Sequence, residues 1–209
     1  AYFLSPEEAT HLSGFLLRPN GTMNPAIVGK SAAAIAGLAG LKNVPDSAAV
    51  LIARETRVGT QFPYSREKLC PILAFYVEQD EDAALKKCCE ILHHEGSGHT
   101  FMIHAEDRTI IQRFAAAVPV SRVLVNTPGA LGGIGATTNL LPALTLGCGT
   151  VGGGSSSNNI GPLDLINIRR VAWGVRDKQA LPGYTTSEFF PVSEAVLDAL
   201  TEKILKKLI

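Results

Sequence analysis

Apolar positions along this chain fall into short continuous runs that alternate with stripes of helical spacing. Ser5, Pro6, Glu7 and Glu8 open the first stripe with a capping hydroxyl, a proline suited to a first turn and two acids near the positive dipole end. The helix they start is predicted to reach about Leu17. A short apolar segment at 26–28 predicts a strand. Ser31 caps a second helix, which ends at about Gly40, where glycine stops it. The runs 48–53 and 71–77 read as buried strands, and Asp80 then caps a helix to about His94. A strand at 100–104, a helix at 108–117 and a strand at 122–126 complete the alternation. Helices of this length between strands favour right-handed crossovers. The predicted fold class is therefore α/β, a mainly parallel sheet with alternating helices, and no internal repeat is visible.

The tail departs from that alternation. Residues 176–191 are polar and carry Pro182, Gly183 and Pro191, the composition of a linker. Residues 192–209 place Val196, Leu197, Leu200, Ile204, Leu205 and Leu208 at helical spacing, with Glu and Lys on the other face. Such a tethered amphipathic helix either docks on its own domain or a sister subunit, or binds a partner.

Composition narrows the classes. With 46% apolar and 18% charged residues, the 209-residue chain suits one sizeable core with buried strands. Lys+Arg and Asp+Glu balance at 19 each, so no global field draws in nucleic acid or an anionic membrane. Aromatic residues make up 6%, too few for a base-stacking platform, and no basic stripe accompanies them. No apolar run approaches the roughly 20 residues that span a bilayer. Cys70, Cys88, Cys89 and Cys148 show neither a disulfide framework nor zinc-ligand spacing. A reducing, cytoplasmic setting without a metal is the expectation.

Candidate chemistry concentrates between residues 126 and 174, a glycine-rich stretch threaded with Thr, Ser and Asn. A segment so poor in side chains exposes backbone amides and admits a large ligand. Asn126, Thr127 and Pro128 close a strand, where ligand sites of α/β sheets usually lie. Gly132, Gly133 and Gly135 follow, and on their own they read equally well as turn glycines. Cys148, between Gly147 and Gly149, is the most plausible nucleophile within the chain, although small buried thiols are commonly structural. Cys88 and Cys89 fall in a helix, where at least one should face the core, and His93 and His94 should form its exposed end. Cys70 precedes Pro71 at a strand start. Gly152 to Asn159 could pass for a linker on composition. His99, after Gly96, Ser97 and Gly98, is either a base or phosphate ligand, or a histidine bonded to backbone at a strand entry. No Rossmann GxGxxG and no P-loop lysine occurs.

The ordered series Glu67 to Pro71, Gly98-His99-Thr100, Asn126-Thr127-Pro128, Gly132-Gly133-Ile134-Gly135, Leu144 to Gly149 and Asn159 to Pro162 resembles the last part of the CoA-acylating aldehyde dehydrogenases. The aldehyde half of bifunctional aldehyde-alcohol dehydrogenases is included in that likeness. The resemblance implies an NAD-dependent oxidoreductase that turns an aldehyde and coenzyme A into an acyl-CoA through a cysteine thioester. It implies a catalytic-lobe portion at 1–175, with 152–159 part of the folded site. Glu67, in the family's glutamate-x-x-x-proline motif with Pro71, would bond the nicotinamide ribose hydroxyls, the alternative being a solvated loop glutamate. Asn126, Thr127, Pro128, Gly132, Gly133, Gly147 and Cys148 would line the substrate and CoA channel. The family nucleophile lies upstream of the first helix, so it is expected before Ala1, and the isolated chain is expected to be inactive. A homo-oligomer is implied, and the 192–209 helix is similar to peptides that target such enzymes to a bacterial microcompartment shell. Two other classes remain open: a non-catalytic oligomerisation or CoA-binding module of the same fold, and an unrelated α/β enzyme using Cys148 as nucleophile.

Overall fold

The computed structural model describes residues 1–177, with Asp198, Thr201 and Glu202 beyond them. A compact unit covers Ala1–Ile166 and a second covers Asn167–Ile209. Of the linker and amphipathic helix expected at 176–191 and 192–209, nearly all lies outside the described residues.

In chain order the first unit runs β1 (Tyr2–Phe3), α1 (Pro6–Leu16), α2 (Ala32–Leu38), β2 (Leu51–Arg54), β3 (Ile72–Phe75), α3 (Glu81–Glu95), β4 (Thr100–Ile103), α4 (Arg108–Ala117), β5 (Arg122–Val125) and α5 (Gly129–Gly133). Every strand pairing is parallel. The strands form a three-stranded sheet, β1-β2-β3, and a separate two-stranded sheet, β4-β5. The expected parallel α/β alternation is present, divided over two sheets.

Local chemistry explains the helix starts. Ser5 Oγ accepts from Glu8 N at 3.2 Å, and the Glu8 carboxylate accepts from Ser5 N at 2.9 Å, closing a capping box. The side chains of Ser31, Asp80 and Asp107 cap α2, α3 and α4 by accepting from first-turn backbone N–H groups, without the reciprocal bond. Helices α1 and α2 then bury Leu12, Leu16 and Ile35 against Leu51, Ala53 and Ile72, one face of the first sheet.

Two expectations need correction. The strand at 26–28 is a turn: it lies between Pro25, which lacks an N–H, and Gly29 at φ 69°, so it cannot pair. Its apolar signal is real, because Ile27 is fully buried. In α3 neither Cys88 nor Cys89 is buried, and the helix buries no residue at all. Its neighbours cover it only partly, through α4, with Arg113 reaching Glu81 and Asp82, and through the loop after β2, where Lys87 Nζ donates to the Thr56 carbonyl.

Truncating Ile35 to Ala should lower stability by about 2–5 kcal/mol, because it opens a cavity in this core. Leu73→Ala, on the opposite sheet face where the side chain is 53% exposed, should change it by roughly 0.5 kcal/mol or less. Urea denaturation of both variants checks the contrast, and equal losses would contradict the one-sided core.

Candidate functional site

Glu67 sits on the loop between a short 3₁₀ turn, Pro63–Ser65, and β3. That loop is held by its backbone and by charged neighbours. Ser65 Oγ donates to the Phe62 carbonyl at 2.8 Å and accepts from Gly59 N at 3.1 Å. Lys68 Nζ turns back to the carbonyls of Tyr64 and Arg66, at 2.5 and 2.6 Å. Burial holds the Lys68 ammonium below its ordinary pKa. Pro71 ends the loop, and its carbonyl accepts from Leu51 N at 3.0 Å, which places β3 beside β2.

The carboxylate that fixes this loop comes from Glu95, the last residue of α3. It accepts from Arg66 Nε and from the backbone N–H of Glu67. An acid at a helix C-terminus opposes the dipole, so its position there requires compensation, and Arg66 and the Glu67 amide supply it. The Glu67 carboxylate itself is exposed and has no hydrogen-bond partner among the described residues. It stands at a cleft of 310 Å³ shared with Lys68, Tyr76, Ile91 and Glu95. Burial pushes the Tyr76 hydroxyl up to about 12, so it stays protonated at neutral pH.

Four residues beyond Glu95, the same turn grips the glycine-rich segment. His99 adopts φ 59°, and its N–H donates to the Cys148 carbonyl at 3.1 Å. A Cβ on Gly98 would lie 2.2 Å from that oxygen, so only glycine fits. Ser121 Oγ donates to the same carbonyl at 2.7 Å. The His99 ring is exposed and lies 3.0 Å from Thr100 Oγ1. Cys148 is exposed rather than buried, since its backbone, not its thiol, makes the contacts. At the helix end His93 is exposed, whereas His94 is half-buried, 3.6 Å from Glu95.

The segment after β5 is built around close approach. Asn126 takes φ 51°, and its side-chain amide exchanges two hydrogen bonds with Ala105, at 2.8 and 3.0 Å. Its polar atoms are thus occupied within the chain. Thr127 is buried, with its Oγ1 2.5 Å from Thr137 Oγ1, and Pro128 caps α5. Gly129 and Gly132 let α5 lie against Met102, Thr127 and Leu124, which any Cβ would strike. Gly133 is buried on the same turn, and its carbonyl accepts from Asn159. Gly147 is open to solvent on its side-chain side. An apolar recess of 470 Å³ opens beside the loop, between Ile134–Ala136 and Pro142–Leu144.

Sequence reasoning passed over Arg122 and gave Asn159 no individual part, yet this pair organises the segment. Both are 6% exposed. Arg122 Nε donates to Asn159 Oδ1 at 2.9 Å and Nη1 to the Gly147 carbonyl at 3.3 Å. Asn159 Nδ2 donates to the carbonyls of Gly133 and Leu141, at 2.9 and 2.7 Å. The only signal available in the sequence was an arginine inside an otherwise apolar strand. Residues 152–159 are accordingly folded, with Gly154 N donating to Gly149 O at 2.7 Å and Thr150 N to Ser157 Oγ at 3.1 Å. The structure joins Asn126, Thr127, Pro128, Gly132, Gly133, Gly147 and Cys148 into one region. No residue of that region lines the Glu67 cleft, so Glu67 and Pro71 stand apart from it, linked through 95–99. Among the described residues no cluster of His, Cys, Asp or Glu could hold a metal ion, and no helix is long and apolar enough to cross a membrane.

No protein-family model matches the chain. It is 40% identical over 177 residues to an aldehyde-alcohol dehydrogenase of Clostridium acetobutylicum, an alignment that takes in 82% of this chain and 20% of that protein. In structure it matches a probable aldehyde dehydrogenase from Listeria monocytogenes with 65% identity and a TM-score of 0.80, covering 86% of this chain and 39% of the other. An acetylating aldehyde dehydrogenase from Geobacillus thermoglucosidasius matches with 42% identity and a TM-score of 0.79, over 88% and 39%. The chain therefore spans about a fifth of the aldehyde-alcohol dehydrogenase and two fifths of these structural relatives.

The Glu95 clamp has a direct readout. A hydrogen bond to a charged acceptor contributes about 1.5–3 kcal/mol, so Glu95→Ala should speed hydrogen exchange at the Glu67 amide by about tenfold or more. Exchange in the α1–β2 core should stay unchanged. Unaltered protection of Glu67 would show that the loop is held by its backbone alone.

Proposed function

We propose that this chain, which belongs to the CoA-acylating aldehyde dehydrogenase family, is a portion of that family's catalytic lobe and supplies the coenzyme-ribose contact and the acyl-transfer channel of such an enzyme. The observation that carries this reading is Glu67. Its backbone is clamped by Glu95 while its carboxylate stays free at a cleft, and a free carboxylate can accept from two vicinal hydroxyls at once. Those features fit the ribose of a nicotinamide dinucleotide, NAD or NADP. Pro71 sets the far end of the loop that presents Glu67.

In the overall reaction an aldehyde, CoA and the oxidised dinucleotide give an acyl-CoA, the reduced dinucleotide and a proton, through a cysteine thioester. Asn126 and Thr127 hold the exit of β5, Gly132 and Gly133 let α5 pack closely behind it, and Gly147, open on its side-chain side, leaves room for a bulky thiol ester near the apolar recess at Ile134 and Leu144. The nucleophile of this reading is a cysteine outside the 209 residues. Cys148 lines the channel, its backbone carbonyl held by His99 and Ser121. Its exposed thiol keeps one second reading specific: a chain that uses Cys148 itself. The family reading also extends to a homo-oligomer. The pattern at 192–209 supports a docking peptide, for a sister subunit or a microcompartment shell.

The test is a chimera in which this chain replaces the matched portion of the Geobacillus enzyme. The chimera should oxidise acetaldehyde in a CoA-dependent manner. Glu67→Ala within it should raise KM for the dinucleotide by about tenfold, the equivalent of one charge-assisted hydrogen bond, with a smaller change in kcat. The 209 residues alone should give no reduced dinucleotide. A folded but inactive chimera overturns the proposal, and activity of the chain alone that Cys148→Ala abolishes transfers it to the second reading.

A further inference from the structure

One buried side-chain amide bridges the two walls of the apolar recess. Ile134, Gly135 and Ala136 form one wall and Pro142, Ala143 and Leu144 the other, with no charged or polar side chain among them. The Nδ2 group of Asn159 has two N–H donors, and it donates to the Gly133 carbonyl at 2.9 Å and to the Leu141 carbonyl at 2.7 Å. Gly133 and Leu141 are the residues that lead into the two walls. The walls also meet directly, from Ala143 N to the Ile134 carbonyl, but at 3.3 Å, longer than the usual range. The shorter bonds that hold their separation are those of Asn159. Arg122 fixes which way the amide faces. Its Nε donates to Asn159 Oδ1 at 2.9 Å, so a reversed amide would set donor against donor there and oxygen against two carbonyls. Arg122 is held in turn, by Nη1 on the Gly147 carbonyl and by its backbone N–H on the His99 carbonyl. Such a tie is a poor source of stability. Nη2 of Arg122 is buried without a hydrogen-bond partner among the described residues, and buried charged ties are often replaceable by apolar side chains without loss. What the pair supplies is geometry.

We propose that Asn159, oriented by Arg122, is a positioning residue that sets the width of this recess and thereby the length of uncharged alkyl chain the enzyme accepts. The proposal rests on the family reading above, in which the recess borders the acyl-transfer channel. An alkyl chain that enters the recess meets apolar side chains and backbone, so its size is what the walls can sort. An anionic aldehyde finds no cation among the lining residues. One methylene more or less in an apolar pocket changes kcat/KM by roughly 10–200-fold, so a small change in wall spacing is enough to move the preference. Asn159 acts through the Gly133 and Leu141 carbonyls and touches no reacting atom.

The chimera with the Geobacillus enzyme tests the proposal, with kcat/KM measured for acetaldehyde, propanal, butanal and hexanal. Asn159→Asp keeps the side-chain volume and the oxygen that accepts from Arg122, but replaces both donors with an oxygen that repels the Gly133 and Leu141 carbonyls. It should raise the hexanal-to-acetaldehyde ratio of kcat/KM by about tenfold or more. KM for the dinucleotide should stay unchanged, because no recess residue lines the Glu67 cleft. Arg122→Gln, which frees the amide to turn, should move the ratio the same way. Ala136→Leu narrows the recess from an exposed position that leaves the buried pair intact, and should lower the ratio by about tenfold or more. A loss shared equally by all four aldehydes in the Asn159 and Arg122 variants would mark the pair as merely structural and overturn the proposal. So would an unchanged ratio in Ala136→Leu, since the alkyl chain would then lie elsewhere. An unsubstituted chimera without CoA-dependent activity sinks the family reading and this proposal with it, whereas an active chimera indifferent to the substitutions sinks this proposal alone.

Discussion

A buried guanidinium without a carboxylate holds the glycine-rich region together. Arg122 is buried at the start of β5, and the partners that accept from it are neutral: the Asn159 amide oxygen and the Gly147 carbonyl. Removing a cation from water is expensive unless its donors are met; here Nε and Nη1 are met, while Nη2 is buried without a hydrogen-bond partner among the described residues. Arginine suits the task because its planar fork addresses several acceptors at once without losing its proton. Asn159 extends the reach to Gly133 and Leu141. Two side chains thereby tie down a stretch of backbone whose own side chains are too small to pack. The openness that suits a large ligand is compatible with order only because of that tie.

The end of α3 plays a complementary part. Glu95 fixes the loop that presents Glu67, and Gly98 and His99 seat the carbonyl of Cys148. Two regions that share no cleft are thus referenced to one helix terminus. The backbone strain of the arrangement, at His99 and Asn126, is offset by hydrogen bonds on both sides: the His99 N–H and carbonyl bond to Cys148 and Arg122, and the Asn126 amide bonds to Ala105. The separation also makes sense of an exposed Cys148, whose peptide is a fixture of the turn while its thiol remains at the surface.

Much of the fold was legible before any coordinates. Capping residues act over three or four positions, so Ser5, Ser31 and Asp80 marked their helices correctly. The helix at 108–117 and the strand after it followed from spacing alone. The misreadings share one cause. At 26–28 the apolar signal was read as pairing, and at Cys88-Cys89 as facing a core, whereas whether a neighbour exists to pair with or cover a segment is a long-range matter. Glu67 was legible as a motif, and its clamp was not, because Glu95 lies 28 positions away and sits where helix electrostatics disfavour an acid.

By itself the sequence determined the alternation of helices and strands and the parallel pairing it favours. These follow from local sterics, caps and periodicity. Tertiary structure alone decided that Arg122 and Asn159 bind three loop segments, that the Glu67 carboxylate is left free while its amide is held, and that one face of the first sheet stands open. Each of these depends on which distant groups meet, and a meeting between groups far apart in the chain leaves no periodic trace in the order of residues.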